Sequence, residues 1–559
     1  MLRPGWFPEY TPFQQRIFDK VLGILTQHFT QRNYQHIHTP AVESIDILKK
    51  WGDIIDKQVY GLYGLAQWST DTKDYGLHFD LTIPLARYVL DHKNDLIFPF
   101  KRYQIQPVWR GERTKRGRFK EFWQCDIDTI RPTPATAWLQ KDTLWYDTES
   151  IIVMYRAIAE IFSYFGLPYS LQVKVSNIGL TSSYLQSLGG SSDQCTQTMK
   201  LLDDYYKIGH EKISSMLQEI RGNQSDTLIW LLWSHDHTAM SEQAGYDDLT
   251  TVLTSLQQFK IPAVYDISII RGHGYYTGTV VEFFVAEDIT LGAVAWGGRY
   301  ERITDFIDPK QSYSGVGCSV SNRMMELIFD HTTDALPADM ESSSYLTISF
   351  EETRRECEYL TYQWIQMWKV IECYPTSHKL KKQFEYADRK GIRYALIYGP
   401  GEQAQWIIQI KDLKTSQTII YRKETSAGMI VFSESSSWLK VLLVHTGNYR
   451  WFPKGHTEWS ETYRETAIRE VQEEVGVKPT ILIDTPLSQS FIMDKYPIFK
   501  TIYCFVASGD ENEPLIPQAS EVDGCGRYTI AEAREKFEYP DSDRLLTQAL
   551  QLFRTHARS

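Results

Sequence analysis

The sequence predicts a multidomain protein of mixed α/β (α+β) class, and three observations support this interpretation. The chain has 559 residues, enough for about three or four domains of ordinary size. Its composition, with 42% hydrophobic and 23% charged residues, is typical of a globular protein and argues against disorder or a fibrous repeat. Helix-like and strand-like periodicities alternate along the chain, with polar breaks between them.

Net charge, hydropathy and cysteine content exclude several classes of protein. The net charge of −11 argues against a protein that coats nucleic acid by bulk charge, and it leaves room for a local basic patch. No apolar stretch approaches the ~20 residues needed to cross a bilayer, and the N-terminal segment lacks the apolar core of a signal peptide. The seven cysteines are scattered without a C-x-x-C pair, so we expect reduced thiols and a cytoplasmic location.

Breaks in composition suggest where domains begin and end. Residues 331–344 are polar and lack periodicity, and around residues 422–427 one strand-like run ends before another begins at Gly428. A weaker shift separates the mostly helical residues 171–265 from β-rich blocks on either side, which suggests a helical insertion. The expected domains are residues 1–332, 344–422 and 427–559.

The first predicted element is a long amphipathic helix. Apolar side chains recur every four residues, as one helix face requires, at Phe13, Ile17, Val21, Leu25 and Phe29. A short strand-like run follows at residues 36–44, interrupted by Pro40. We expect the apolar face of the helix to pack into a core.

Residues 101–120 are a basic segment, with eight Lys or Arg residues against the single acidic Glu112. Two strand-like runs flank a loop, and a charged loop is usually only a solvated surface. The second strand, however, presents polar side chains on one face at a period of two, namely Gln124, Asp126 and Asp128. A cationic hairpin over an acidic floor suits a ligand that carries both a phosphate and an amine.

This segment resembles motif 2 of class II aminoacyl-tRNA synthetases, in the form seen in histidyl-tRNA synthetases. Other stretches resemble that family's amino-group binding strand, histidine-specific signature, late catalytic strand and anticodon-binding domain, at residues 79–87, 271–282, 296–300 and 380–399. The resemblance covers about residues 5–422. It implies a mainly antiparallel catalytic sheet, an α/β anticodon-binding domain, a homodimer, and ATP, histidine and tRNA as substrates.

The resemblance also implies roles for individual residues. Arg110 would clamp phosphate oxygens with its guanidinium fork, and Arg271 would stabilise charge in the transition state. The α-amino group of histidine would be held by Asp80, Thr82 and Gln124, and the imidazole would be read by Asp128 and Tyr276. The histidine pocket as a whole would comprise Asp80, Leu81, Thr82, Gln124, Asp128, Tyr275 and Tyr276. ATP would contact Arg110, Glu112, Arg118 and Arg323.

Two departures from the family pattern leave two hypotheses open. The family's motif 3 has roughly the pattern G-V-G-x-x-x-G-L-E-R, but here Ser321 replaces the later glycine, Met324 replaces the arginine, and Arg323 is one position early. One helical step is a rotation of about 100°, so Arg323 would aim elsewhere unless the turn has lost a residue. Gly274 stands where the family usually has Asp. The chain is either an active synthetase with a re-aimed arginine, or it carries a module that has lost adenylation and senses histidine or tRNA to regulate the C-terminal part of the chain.

The most specific motif begins at Gly455. The sequence there matches the Nudix box, G-x5-E-x7-R-E-U-x-E-E-x-G-U, at Gly455, Glu461, Arg469, Glu470, Val471, Glu473, Glu474, Gly476 and Val477. Helical spacing stacks Glu470, Glu473 and Glu474 on one face, where like charges this close call for a cation. Mg²⁺ prefers such hard oxygen ligands. We expect Arg469 to pair with a glutamate such as Glu461.

The resemblance to Nudix hydrolases implies an α/β/α domain that hydrolyses a nucleoside diphosphate-linked compound with Mg²⁺. The metal would be held by Gly455, Glu470, Glu473 and Glu474, and Glu473 and Glu474 would also act in catalysis. Residues 451–456 and 539–541 resemble segments of Nudix enzymes that cleave dinucleoside polyphosphates. A diadenosine polyphosphate is therefore the favoured example of a substrate, although substrate choice varies widely within this fold.

Overall fold

The computed structural model describes most of the chain. The described residues are 5–49, 58–62, 74–111, 119–133, 143–270, 276–320, 322–332, 337, 344–367, 369–376, 379–434, 438–447, 449–458, 460–493, 495–518 and 521–556. The chain divides into two compact units, Met1–Pro337 and Ala338–Ser559. Within the described ranges, no helix is both long enough and apolar enough to cross a membrane.

The first unit combines a large sheet with many helices. Its strands are β1 (Gln35–His36), β2 (Val42–Ser44), β3 (Gly61–Leu62), β4 (Tyr75–Leu77), β5 (Phe100–Trp109), β6 (Glu121–Pro132), β7 (Leu171–Asn177), β8 (Ala263–Tyr265), β9 (Tyr276–Val285), β10 (Ala295–Tyr300) and β11 (Tyr313–Val320). Its helices are α1 (Pro12–Gln31), α2 (Ile45–Lys49), α3 (Thr82–Asp91), α4 (Leu144–Tyr164), α5 (Ile178–Ser187), α6 (Ser192–Asp203), α7 (Tyr205–Ile208), α8 (His210–Arg221), α9 (Ser225–Ser234), α10 (Tyr246–Gln258) and α11 (Asn322–His331).

Eight strands of the described part of this unit form one sheet, in the order β1-β5-β6-β11-β10-β9-β7-β8. The pairs from β5 to β7 are antiparallel, and only the outer pairs, β1 with β5 and β7 with β8, are parallel. The predicted mainly antiparallel catalytic sheet is therefore confirmed. Helices α5 to α10 lie between β7 and β8 in the chain, as the composition of residues 171–265 suggested.

The predicted first helix is present as α1. Thr11 caps it, because its side chain accepts the backbone N–H of Gln14 while Gln14 returns a bond to the cap, and Pro12 occupies the first turn. The predicted apolar face is buried except for Phe13, which is only partly buried. The following strand-like run is broken as expected, since β1 and β2 lie on either side of Pro40.

Residues 79–87 do not form the amino-group binding strand that the resemblance suggested. Most of this stretch belongs to α3, which begins at Thr82. The Asp80 carboxylate accepts the backbone N–H of Ile83 in the first turn (3.2 Å), and an acidic group is favoured at a helix N-terminus. The prediction of a strand was wrong because a local capping interaction favoured a helix start.

The second unit is built on one continuous sheet. Its strands are β12 (Tyr345–Ile348), β13 (Ile371–Cys373), β14 (Tyr394–Ile397), β15 (Ile407–Asp412), β16 (Thr418–Glu434), β17 (Leu439–Thr446), β18 (Tyr449–Trp451), β19 (Lys454–His456), β20 (Thr480–Met493), β21 (Ile498–Ser508) and β22 (Gly524–Thr529). Its helices are α12 (Arg354–Gln366), α13 (Leu380–Lys390), α14 (Pro400–Gln405), α15 (Tyr463–Val475), α16 (Ile530–Lys536) and α17 (Pro540–His556).

Strand β16 runs through residues 422–427, where one strand was expected to end and another to begin. Instead of ending near Arg422, the backbone continues as a single strand of 17 residues. Its first part pairs with β15, and its later part pairs with β21, β19 and β17. Within residues 422–427 only Arg422 is exposed, and Ser426 and Ala427 are buried, so the segment is a paired strand of the sheet.

Segments that precede and follow β16 in the chain share a hydrophobic core. Trp364 of α12 is fully buried and stacks on Phe499 of β21 with ring centroids 4.8 Å apart. Beside it, the Gln363 side-chain amide donates to the Thr501 hydroxyl (3.1 Å). Helix α12 precedes β16 in the chain and β21 follows it, so the segments on both sides of the expected boundary pack together within one unit.

Candidate active sites

A polar pocket opens on the sheet of the first unit. Its lining consists of Asp80, Thr82, Arg110, Gln124, Asp126, Asp128, Tyr276, Trp296, Tyr300, Gly317, Cys318 and Ser319. The fold thus brings together six of the residues singled out from the sequence, namely Asp80, Thr82, Arg110, Gln124, Asp128 and Tyr276. Leu81 is fully buried and packs with Val108 and Phe122 beneath this region.

The pocket floor follows from the register of two strands. Gln106, Gln104 and Arg102 of β5 lie opposite Gln124, Asp126 and Asp128 of β6. Because cross-strand partners project from the same face, these three pairs form a polar ladder. All six side chains are buried, and the expectation of a polar floor along Gln124, Asp126 and Asp128 is confirmed.

Arg110 lies at the end of this hairpin. Its Nε donates to the Phe79 carbonyl oxygen (2.9 Å), and its guanidinium carbon is 5.0 Å from the centroid of the Phe122 ring. The positive charge of Arg110 acts to lower the pKa of Asp80, but burial outweighs it and raises that pKa to about 6. A fixed guanidinium beside several carboxylates can bind phosphate and amine groups of one ligand.

Buried carboxylates dominate the electrostatics of the pocket. Burial raises the pKa of Asp128 to about 7, against the opposing charge of Arg102. Burial likewise raises the pKa of Asp126, with Arg102 again opposing. The Tyr300 hydroxyl donates to Asp128 Oδ1 (2.6 Å), so the carboxylate is oriented by the protein on its pocket side.

Arg323 and Met324 occupy different environments. Met324 is buried (1% exposed), so it belongs to the core of its unit. Arg323 donates from Nη1 to the Ala293 carbonyl oxygen (3.4 Å), and a Cβ at Gly292 would lie 2.2 Å from the same nitrogen. Arg323 is not one of the described residues that line the pocket.

Several predicted site residues lie outside the described residues. They are Glu112, Arg118, Arg271 and Tyr275, together with Gly274 and Ser321 of the two departures.

The second candidate site is built on helix α15. Thr462 caps this helix through a reciprocal pair of hydrogen bonds with Glu465. Gly476 ends it in the left-handed region (φ 78°), and its N–H donates to the Gln472 carbonyl oxygen. Glycine adopts this conformation at little cost, which explains the glycine near the end of the Nudix box.

Three carboxylates converge beside α15. Oxygen atoms of Glu470, Glu474 and Glu521 lie within 4.8 Å of one another, with Glu470 and Glu474 buried and Glu521 exposed. Burial raises the pKa of Glu474 to about 7 and also raises that of Glu470. Clustered carboxylate oxygens that resist ionisation are a donor set that fits a hard divalent cation such as Mg²⁺.

Glu473 takes a different position from the one the helical spacing suggested. It is partly exposed (45%), and one of its oxygens accepts a hydrogen bond from Arg469 Nη1 (2.8 Å). The third place in the carboxylate cluster belongs to Glu521 instead. Arg469 Nη1 donates equally to Glu470 Oε1 (2.8 Å), which stays in the cluster. The two glutamates differ in exposure, since the Glu470 side chain is 9% exposed and that of Glu473 faces solvent.

The predicted pairing of Arg469 with Glu461 is confirmed. The guanidinium donates from Nε and Nη2 to the two Glu461 oxygens at 2.7 and 3.0 Å, and from Nη2 to the His456 carbonyl oxygen at 3.0 Å. This bidentate pair lowers the pKa of Glu461 to about 2. Arg469 therefore ties the loop before α15 to the helix that carries the carboxylates.

Gly455 is explained by the close approach of Glu470. A Cβ at this position would lie 2.0 Å from the Glu470 carboxyl carbon and 2.1 Å from each of its oxygens. Any other residue would push the carboxylate away. Nearby, the backbone N–H of Lys454 donates to Glu474 Oε2 (2.9 Å), so β19 orients one carboxylate and makes room for the other.

Glu521 was missed by the sequence analysis. It lies far from the motif in the chain, in a segment with no periodic pattern. The segment is placed by backbone bonds to the end of α15: Ile516 N–H donates to the Val475 carbonyl oxygen (2.9 Å), and Gln518 N–H to that of Glu474 (3.3 Å). In the sequence, Glu521 is marked only as an acidic residue in the loop that follows β21.

Comparison with protein families agrees with the resemblances drawn from the sequence. A family model described as histidyl-tRNA synthetase matches residues 7–325, more than half of the chain. The chain belongs to the histidyl-tRNA synthetase family. Models of an anticodon binding domain and of a NUDIX domain match residues 366–430 and 422–549. The stretch common to the last two, 422–430, lies inside β16.

Relatives in the family align with most of the chain. The histidine–tRNA ligase of Cutibacterium acnes is 30% identical over 455 residues, covering 77% of this chain and 95% of the relative. That of Thermobifida fusca is 31% identical over 450 residues, covering 74% of this chain and 95% of the relative.

Solved structures agree with this fold. The histidyl-tRNA synthetase of Nostoc sp. PCC 7120 has a TM-score of 0.63 at 27% identity, with 75% of this chain and 96% of that chain covered. The apo histidyl-tRNA synthetase of S. aureus, at 18% identity and a TM-score of 0.53, shares the fold, with 76% of this chain and 97% of that chain covered.

Proposed function

We propose that this chain is a bifunctional enzyme. One activity is ATP-dependent ligation of histidine to tRNA through a histidyl-adenylate, and the other is Mg²⁺-dependent hydrolysis of a nucleoside diphosphate-linked compound. The observation that carries the first activity is the convergence of Asp80, Thr82, Arg110, Gln124, Asp128 and Tyr276 in one pocket. The relatives named as histidine–tRNA ligases support it over nearly their full length.

The proposal assigns the histidine pocket by chemistry. Asp80, Thr82 and Gln124 hold the α-amino group, Asp128 with Tyr276 binds the imidazole, and Tyr275 completes the pocket. Leu81, which the resemblance placed in this pocket, is fully buried and packs beneath it instead of lining it. Arg110 binds the α-phosphate, because a guanidinium offers two donors to a pair of oxygens. Glu112 and Arg118 shape the nucleotide site, Arg323 contacts ATP, and Arg271 stabilises the charge that develops on the transferred group.

The regulatory alternative rests on the motif 3 departure. With Met324 buried and Arg323 on the Ala293 carbonyl, ATP would have to draw Arg323 away from that contact. If it does not, the synthetase module binds histidine or tRNA without adenylation and controls the hydrolase. An Arg323→Ala variant separates the two: an active synthetase with a re-aimed arginine shows a raised KM for ATP, whereas a sensor shows no exchange in either protein.

The second activity is supported by the cluster of Glu470, Glu474 and Glu521 and by the NUDIX match. The proposed metal site keeps Glu470, Glu474 and the Gly455 backbone, and adds Glu521, with Glu473 released from Arg469 on binding. When bound, Mg²⁺ would polarise the pyrophosphate oxygens. Glu473 or Glu474 would then take the proton of the attacking water. A dinucleoside polyphosphate is the favoured substrate example.

The proposal extends to organisation and location. We propose domains at 1–332, 344–422 and 427–559, with the last two joined through β16. We also propose a homodimer that acts in the cytoplasm, where aminoacylated tRNA is used.

Histidine-dependent exchange of pyrophosphate into ATP tests the synthetase half. We expect exchange with the full chain and its loss in Arg271→Ala, and equal signals from the two proteins would refute the assignment. For the hydrolase half, the full chain is screened against nucleoside diphosphate derivatives and dinucleoside polyphosphates with Mg²⁺ and with EDTA. The full chain is needed because a fragment beginning at residue 427 would lack the first half of β16 and the helix that covers Phe499.

A further inference from the structure

A second guanidinium lies beneath the histidine pocket, and none of the roles above uses it. Arg102 is fully buried (0% exposed), and burying a charge is costly unless it is paired and hydrogen-bonded. It stands on β5 directly opposite Asp128 on β6, so the two side chains leave the same face of the sheet. This placement points to a task that depends on Asp128.

The guanidinium is held on several sides. Its Nη2 lies 2.6 Å from Asp128 Oδ2 and 3.9 Å from Asp126 Oδ2. Its Nη1 donates to Gln104 Oε1 (3.2 Å), and Nη2 also approaches the Leu81 carbonyl oxygen (3.5 Å). Arg102 is therefore paired most closely with the carboxylate proposed to read the imidazole.

Asp128 is fixed from its other neighbours as well. Tyr300 donates to Oδ1 (2.6 Å), while Gly317 lies opposite Asp128 on β11, where a Cβ would come within 2.1 Å of Oδ1. Each carboxylate oxygen thus receives one protein donor. An ionised carboxylate has about four acceptor sites, so capacity remains for a donor in the pocket that Asp128 lines.

The charge balance makes Arg102 necessary for this use. Asp80, Asp126 and Asp128 all line the pocket, and burial raises the pKa of each, with the charge of Arg102 opposing this effect at Asp126 and Asp128. Removal of the buried cation would favour the protonated form of Asp128. A protonated carboxyl is a poorer acceptor for a ring N–H.

We propose that Arg102 is a positioning residue for amino-acid selection, which pairs with Asp128 and aims its carboxylate so that it accepts the ring N–H of histidine. This inference rests on the proposed histidine activation at the same pocket. It predicts that loss of Arg102 weakens recognition of the imidazole far more than recognition of ATP.

The test compares Arg102→Met with Lys101→Met in the full chain. Lys101 is the preceding residue of the same strand, points to the other face and pairs with Glu149 (2.8 Å), so it controls for the loss of a charge in β5. For Arg102→Met we expect the KM for histidine in pyrophosphate exchange, and the Kd for histidine in calorimetry, to rise about tenfold or more. The KM for ATP should stay within about twofold, as should both constants in Lys101→Met.

Two further variants keep the inference testable if Arg102→Met fails to fold. Arg102→Lys keeps a positive charge without the guanidinium fork. Its KM for histidine should lie between those of the wild type and Arg102→Met, and its KM for ATP should be unchanged. Tyr300→Phe removes the other donor to Asp128 with little change in shape and should also raise the KM for histidine alone. Equal increases in the KM for histidine and the KM for ATP, or no change in the KM for histidine, would overturn the inference.

The binding measurement separates this inference from the proposed function. If the wild-type chain binds histidine and Arg102→Met binds it equally well, the positioning role of Arg102 is refuted and histidine recognition by the pocket is retained. If the wild-type chain neither binds histidine nor supports exchange, the proposed function falls and the inference falls with it.

Discussion

The rings of Trp364 and Phe499 are stacked with 4.8 Å between centroids and 13° between planes. Both side chains are fully buried. Trp364 belongs to a helix that precedes β16, and Phe499 belongs to a strand that pairs with the later part of β16. The stretches that resemble an anticodon-binding domain and a Nudix domain are therefore parts of one folded unit.

Removing this contact should destabilise both parts together. We expect Trp364→Ala to lower the free energy of unfolding of the second unit by about 3–5 kcal/mol, because a large buried ring is replaced by a cavity. Hydrogen exchange in α12 and in β21 should accelerate in parallel. Trp406→Ala, at a site 60% exposed, is the control and should have little effect. Loss of protection in α12 with β21 unchanged would contradict a shared core.

Gly455 should be indispensable to the carboxylate cluster. A methyl group in Gly455→Ala would overlap the Glu470 carboxylate, so we expect Mg²⁺ affinity to fall by about tenfold or more. Titration with Mn²⁺ or Mg²⁺ by calorimetry measures this. Gly401→Ala, where an added Cβ meets nothing within 4 Å, is the matched control. Wild-type affinity in Gly455→Ala would exclude Glu470 as a ligand.

Glu474→Gln should separate the two activities. We expect it to abolish Mg²⁺-dependent hydrolysis, because an amide cannot replace a charged ligand or accept the proton of water. Pyrophosphate exchange should be unchanged, since Asp80 and Asp128 belong to the other compact unit. Parallel assays of one preparation measure both rates. A loss of exchange in this variant would reveal coupling between the units.

The same substitution should stabilise the metal-free protein at alkaline pH. Burial raises the pKa of Glu474 to about 7, so between the ordinary pKa and about 7 the folded state binds more protons than the unfolded state. The free energy of unfolding then falls as pH rises through this window. In EDTA at pH 8, Glu474→Gln should be more stable than wild type, by no more than about 3 kcal/mol. At pH 5 the difference should be small, and a larger gain at pH 5 than at pH 8 would contradict this account.

Glu521 should contribute to metal binding although it is outside the motif. We expect Glu521→Gln to weaken Mg²⁺ binding several-fold, because one of three clustered carboxylates loses its charge. Glu535→Gln, an exposed site on α16, serves as the control in the same titration. If the two variants bind Mg²⁺ equally, Glu521 is a bystander.

Local patterns in the sequence were sufficient for the elements that carry the chemistry. The recurrence of apolar residues every four positions predicted α1, and alternation along residues 123–128 predicted a polar pocket floor, because helix and strand geometry dictate which side chains share a face. The spacing of the Nudix box predicted a carboxylate-bearing helix and the pairing of Arg469 with Glu461. These relationships span few residues, so the backbone geometry alone determines them.

Tertiary structure decided the rest. It joined the two strand-like runs expected on either side of residues 422–427 into one continuous strand, brought Glu521 to the cluster in place of Glu473, and buried Arg102 against Asp128. In each case, the deciding partner lies on another strand or loop. Register across a sheet and the approach of a distant loop depend on the whole fold, whereas the periodicity of a single segment reports only which of its own residues share a face.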